Sequence, residues 1–145
     1  MPTMLELMRM VMRGAAPPPP IATLIGFRIT SVEPGRAVLE LETSERHTNP
    51  MGTVHGGVLC DIADAAMGIA YASTLGEGET FTTLELKINF LKPVRKARLQ
   101  AAVRVVKGGR TIGLAECDVT DADGSLVARA MSTCMTLRDE EARGR

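Results

Sequence analysis

The chain has 145 residues, enough for one domain that buries a core without disulfide or metal staples. Its 45% hydrophobic content excludes a disordered chain, and seventeen basic residues against seventeen acidic ones exclude a dedicated nucleic-acid binder. Four aromatics (Phe27, Tyr71, Phe81, Phe90) and no Trp leave no base-stacking platform, while Cys60, Cys117 and Cys134, none in a CxxC unit, read as the thiols of a reducing, cytoplasmic setting.

Residues 1–13 hold five of the nine methionines, broken by Glu6 and Arg9. The segment lacks a basic start and a compact apolar run, so it is no signal peptide. It predicts an amphipathic helix packed on the domain or on a partner. Pro17 to Pro20 stop that helix and act as a short rigid spacer. No run approaches 18 apolar residues, so no membrane span is expected. The expected organisation is an N-terminal helix and spacer over 1–20, one domain over 21–138 and a charged tail over 139–145.

Gly26–Val32 and Ala37–Glu42 read as strands around Glu33-Pro34-Gly35-Arg36, whose central Pro-Gly is turn chemistry. Residues 43–54 are a polar loop with Asn49-Pro50 and Gly52. From Gly56 to about Leu75, Val58, Leu59, Ile62, Ala65, Ala66, Ile69 and Ala70 recur at helical spacing among small residues. Asp61, Asp64 and Gly68 form a narrow stripe along that helix. Thr82–Leu91 alternates, with Leu84, Leu86, Ile88 and Phe90 on one predicted face and Thr83, Glu85, Lys87 and Asn89 on the other. Arg98–Val106 and Thr111–Val119 flank the hairpin turn Lys107–Arg110, and Ser125–Leu137 follows the turn Asp121–Gly124. The order predicts an α+β domain, a curved antiparallel sheet wrapped around one long central helix.

The densest chemistry is Asn49-Pro-Met-Gly-Thr-Val-His-Gly-Gly57 running into the helix. The first N–H groups of a helix have no internal partner, and the helix dipole makes that end partly positive. A carbonyl oxygen gaining negative charge suits such a place, although a plain loop-to-helix turn reads the same way. Asp64 sits among apolar neighbours, where desolvation would raise its pKa and make it a better base. A solvated stripe shared with Asp61 is the bland alternative. Asp64 lies eight residues beyond Gly56, about 12 Å along the helix, so the two cannot act on one carbonyl unless a second copy supplies the Asp. Between Leu86 and Ala115 there are eight basic residues and no acid, either ordinary solubility or an anchor for ligand phosphates. No GxSxG, GxGxxG or P-loop occurs. Cys60 reads as a small core residue.

Asn49, the His55-Gly56-Gly57 segment, Asp64 nine positions after the His, and Leu91-Lys92-Pro93 together resemble the hotdog-fold acyl-CoA thioesterases, most closely the PaaI type linked to phenylacetate degradation. The resemblance covers about Ile21 to Leu137. It implies hydrolysis of an acyl-CoA to a free acid and CoA, with the Gly56 N–H polarising the thioester carbonyl. Asp64 of the facing subunit would be general base or nucleophile, Asn49 would help place water or carbonyl, and Thr83 matches a Ser/Thr position early in the strand after the helix. His55 belongs to the same motif. Lys107, Gly108, Gly109, Arg110 and Thr111 correspond to a turn that contacts the CoA moiety. The resemblance further implies a homodimer, commonly paired into a homotetramer, with no metal and no cofactor beyond the CoA of the substrate. Two other readings use the same residues, namely a non-catalytic acyl-CoA binder or sensor, and an enoyl thioester hydratase or dehydratase relying on His55.

Overall fold

The computed structural model describes residues 1–143. Helix α1 (Met4–Met12) opens on a capping box in which Thr3 and Glu6 satisfy each other's backbone N–H groups. The proline run is more than a spacer, because Pro20 is the first residue of a second helix, α2 (Pro20–Ile25), where a missing N–H does no harm. Strands β1 (Arg28–Glu33) and β2 (Arg36–Glu42) make the expected hairpin. Gly35 holds its turn at a φ of +76°, and its N–H donates to Ser73 Oγ, tying the turn to the far end of the central helix. A single 3-10 turn (Glu45–His47) precedes helix α3 (Gly56–Ala72), and four strands follow: β3 (Thr80–Phe90), β4 (Arg98–Gly108), β5 (Ile112–Thr120) and β6 (Leu126–Leu137). A last turn of helix, α4 (Asp139–Ala142), lies in the charged tail. Among the described residues, no helix is long and apolar enough to cross a membrane.

All six strands form one antiparallel sheet in the order β1-β2-β4-β5-β6-β3, so the strand directly after the helix becomes a sheet edge. Helix α3 lies across the sheet and touches every strand. The contact is close because both sides are small. Ala63, Ala66 and Ala70 face Ala101, Ala115 and Ala130, all of them buried in one cluster. Leu39, Leu41, Ile62, Met67 and Leu99 fill the space between. The outer sheet face carries the cross-strand ion pairs Arg104–Glu116 (2.6 Å) and Arg129–Asp118 (2.7 Å), exposed contacts that contribute about 0–1 kcal/mol each.

Helix α1 packs on β1 and α3. Met8 is buried with Val32, Tyr71, Ala72, Leu75 and Cys134, and Arg9 pairs with Glu33 at 2.8 Å. Tyr71 meets Phe81 edge-on and bonds Thr136 Oγ1 at 2.6 Å.

Two expectations need correction. The strict alternation of β3 fails at a β-bulge, where Thr83 pairs with Cys134 but Glu85 already pairs with Thr133. Leu84 is the extra residue and is 53% exposed instead of core-facing. Before the bulge the odd positions Phe81 and Thr83 face the helix. After it the even positions Leu86 and Ile88 pack on the core. Phe90 is likewise exposed at the strand end. Cys60 is only half-buried, on the flank of α3, whereas Cys117 is in the core with its thiol pushed up to about 12 by burial and the adjacent Asp118 charge.

The close helix–sheet approach should be measurable. A Cβ at Gly113 would stand 2.3 Å from Tyr71 Cε2, whereas one at Gly108 would meet only Val105 Cγ1, at 4.0 Å. Gly113→Ala should therefore lower unfolding free energy by about 1–3 kcal/mol, read from the denaturant midpoint, while Gly108→Ala changes it little.

Candidate active site

The loop 48–54 is built by its own polar groups. Asn49 Oδ1 accepts from the N–H groups of Met51 (3.0 Å) and Thr53 (3.1 Å), and its Nδ2 donates to Thr53 Oγ1 (2.8 Å). Val54 N–H reaches Val94 O at 2.7 Å, and the Arg95 guanidinium donates to Gly52 O at 3.2 Å. The carbonyl oxygen of Asn49 is therefore spent on shaping the loop, and one amide hydrogen is left for anything else.

Both histidines are fixed by backbone partners. His47 Nδ1 accepts from the Ser44 N–H at 3.0 Å, so its Nε2 is the donor to Ile25 O at 2.6 Å. His55 caps α3: its Nδ1 accepts the Gly57 N–H at 2.8 Å, and its carbonyl takes the N–H of Val58 at 2.9 Å. Gly57 is thereby satisfied. Gly56 is not, since its N–H has no acceptor among the described residues. That N–H opens on a cavity of about 340 Å³ shared with Asn49, Phe90 and Lys92. A Cβ at Gly56 would come within 3.0 Å of Phe90 Cζ, so only glycine lets the ring lie this close. Phe90 was not legible as a site residue in the sequence, because its alternation placed it in the core.

Asp64 stands two turns further along α3, on the stripe the sheet does not cover. Its side chain is exposed in the single chain, yet apolar neighbours crowd it and desolvation raises its pKa above the ordinary carboxylate value. The Thr83 hydroxyl lines the same cavity, and its influence on the carboxylate opposes that rise. The bulge in β3 makes this contact possible by turning Thr83 towards the helix. Asp61 is also raised, first by desolvation and then by the Asp64 charge, so the two carboxylates repel. The Cys60 thiol is raised by burial and by both charges, which leaves it a poor nucleophile. Asp64 and Thr83 line a second cavity, of about 470 Å³, whose other walls include Met4, Leu7 and Met8 of α1. Sequence reading assigned the methionine-rich helix no part in a site; the apolar face at 4, 7, 8 and 11 was its only trace.

The structure thus places Asn49 and Gly56 at one cavity, with His55 beside them as the helix cap but outside its lining, and Asp64 and Thr83 together at another. It does not bring the two groups to one point on a single chain. The turn at Lys107–Thr111 lies at the opposite end of α3 from Gly56: Thr111 O accepts the Thr136 N–H at 2.7 Å beside the Tyr71 hydroxyl, and Arg138 bonds Arg110 O. Lys107, Gly108, Gly109, Arg110 and Thr111 are all exposed. Of the surrounding basic residues, Lys92 pairs with Asp121 at 2.5 Å and Arg104 with Glu116, so only part of the basic run is available to a ligand.

A six-stranded antiparallel sheet wrapped on one long helix, with an open amide at the helix start and a desolvated carboxylate at its middle, is the hotdog architecture of thioester hydrolases. Residues 51–128 match the thioesterase superfamily. The 1,4-dihydroxy-2-naphthoyl-CoA hydrolase of Listeria monocytogenes is 31% identical over 109 residues, covering 75% of this chain and 89% of that protein. A phenylacetic acid degradation-related protein from Ralstonia eutropha superposes with a TM-score of 0.81 at 31% identity, covering 88% of this chain and 98% of that one. A mutant of the phenylacetic acid degradation protein PaaI from Thermus thermophilus superposes at 0.75 with 26% identity, over 81% and 98% of the two chains. The chain belongs to the thioesterase superfamily, and its structural neighbours are of the PaaI type.

The electrostatic reading has a direct test. Carbon-13 titration of the Asp64 carboxyl should give a midpoint above that of a free Asp, and Thr83→Val should move it higher still by removing a bond to the charged form. The sign for stability follows. A raised acid favours the folded state when protonated, and that contribution is lost as pH rises from the unfolded value through the folded one. Asp64→Asn should therefore be no less stable than the parent at neutral pH in thermal unfolding.

Proposed function

We propose that the chain hydrolyses an acyl-CoA thioester to a carboxylic acid and CoA in sites built from two copies. The Gly56 N–H of one copy donates to the thioester carbonyl oxygen and stabilises the negative charge that develops when the carbonyl is attacked. Asp64 of the other copy acts on the attacking water as general base, or attacks the carbonyl itself, with Thr83 orienting the carboxylate. The spare amide hydrogen of Asn49 faces the same cavity as Gly56 and can steady the carbonyl or the water. His55 acts by capping, which frees Gly56 while occupying Gly57. That use of Nδ1 leaves no ring nitrogen poised as a base for a hydratase.

One observation carries this reading: an unpartnered amide and a desolvated carboxylate sit on the same rigid helix, eight residues apart, each facing its own cavity. A second copy is the simplest way to bring them together. The eleven-residue edge strand β3 runs beside the Asp64 stripe and contains no proline, so it is a template for pairing with its equal. Two pairs of chains forming a homotetramer agree with this arrangement. The exposed Lys107–Thr111 turn offers the two cations Lys107 and Arg110 to the phosphates of CoA, the Gly109 N–H being already given to Ile112 O at 2.8 Å.

Thiol release from acyl-CoA measures the activity. Asp64→Asn should reduce kcat by about 10²–10⁴. A variant that kept full turnover would refute the assignment. Gly56→Pro removes the amide at a helix position whose backbone suits proline, the exposed Phe90 ring shifting by a few tenths of an ångström to admit the added Cβ, and it should be equally inactive. Mixing the two inactive variants should restore roughly a quarter of the parent rate, because half of randomly mixed dimers then carry one intact site of two. Lys107→Ala and Arg110→Ala should each raise KM several-fold with kcat little changed, and the difference should shrink at high ionic strength.

A further inference from the structure

The cavity beside Asp64 continues well past the groups that the proposed chemistry uses. Its floor is one face of α3, Ala65, Gly68, Ile69 and Ala72, running away from Asp64. Its wall is α1, which presents Met4, Leu7, Met8 and Val11 at helical spacing. The cavity shares Val11, Pro17, Pro19, Phe27, Ile29 and Ile69 with a neighbouring one of about 620 Å³, so the two form a continuous groove. Polar groups in the first stretch are confined to the end where Asp64 and Thr83 stand. Leu7 and Ile21 border the groove yet are 40% and 45% exposed, a costly state for large apolar side chains unless something covers them.

The shape selects the occupant. The floor from Asp64 to Ala72 spans about 12 Å, the reach of roughly ten extended methylene groups. The walls are mostly Met, Leu, Val, Ile, Ala and Pro, with Phe27 and Phe81 the aromatic members and Thr23 and Arg28 bordering only the far stretch. Methionines fit themselves to a flexible chain, whereas a single aromatic ring would leave most of the groove wet. Resting on the hydrolase reading above, we infer that the acyl group is a long unbranched aliphatic chain lying between α1 and α3, and that α1 sets the chain-length preference.

The test is a series of straight-chain acyl-CoAs from acetyl to palmitoyl, with phenylacetyl-CoA beside them. Expected is a kcat/KM that rises by about fourfold per methylene until the groove is full, with decanoyl well above phenylacetyl. Leu7→Glu places a charge in the wall at an exposed helix position that tolerates it, and should lower the decanoyl-to-acetyl ratio of kcat/KM at least tenfold. Calorimetry with the inactive Asp64→Asn protein should show the same loss of decanoyl-CoA affinity when Leu7→Glu is added. A preference for phenylacetyl-CoA, or a flat ratio in Leu7→Glu, overturns the inference while leaving the hydrolase intact. A flat ratio with a changed elution volume would identify the groove as a contact between copies, which also overturns it. Thiol release from none of these esters would refute the hydrolase reading itself.

Discussion

Everything functional in this molecule hangs on the stiffness of α3. A helix cannot bend its first turn back onto its third, so the Gly56 amide and the Asp64 carboxylate keep a fixed separation. The sheet holds that helix along its whole length, with alanines on both sides bringing the backbones close. Neither group can drift towards the other, and each is prepared where it stands. His55 satisfies Gly57 and leaves Gly56 open, while the bulge in β3 brings Thr83 to Asp64. The consequence is a chain that holds an open amide and a desolvated carboxylate at two separate cavities of one helix.

The two halves are prepared by different physics. At the helix start the useful property is an absence, an N–H whose partners the helix cannot supply. The loop that leads into it is braced by Asn49 and Arg95 through their bonds to the Thr53 N–H and Gly52 O. At the middle of the helix the useful property is a tension between burial, which disfavours the charged carboxylate, and one hydroxyl, which favours it. A carboxylate so held binds a proton more readily than an ordinary aspartate does. From this point an apolar groove runs under α1.

Much of this was legible before any coordinates. Turn chemistry at Pro34-Gly35, the small-residue periodicity after Gly56 and the two later hairpins gave the element order and the wrapped-helix layout. The helix rise alone separated Gly56 from Asp64. Local pattern failed at Thr83, Leu84 and Phe90, because a bulge is an insertion relative to a partner strand and leaves no mark in the strand's own alternation. It failed again at the proline run, which does not stop α1, already ended at Met12 and capped by Arg13, and whose last member Pro20 begins α2.

By itself, then, the amino-acid order determined the order of the central helix and the strands, and that Asp64 and Gly56 stand about two turns apart on one helix. Those are properties of short-range stereochemistry and spacing along one element. Only the tertiary structure decided that Thr83 rather than its neighbour touches Asp64, that Asn49 builds its own loop, and that the methionine-rich helix walls the carboxylate's cavity. Each of these depends on which residue of a distant segment lies opposite, and pairing across the fold is set by the packing of the whole core.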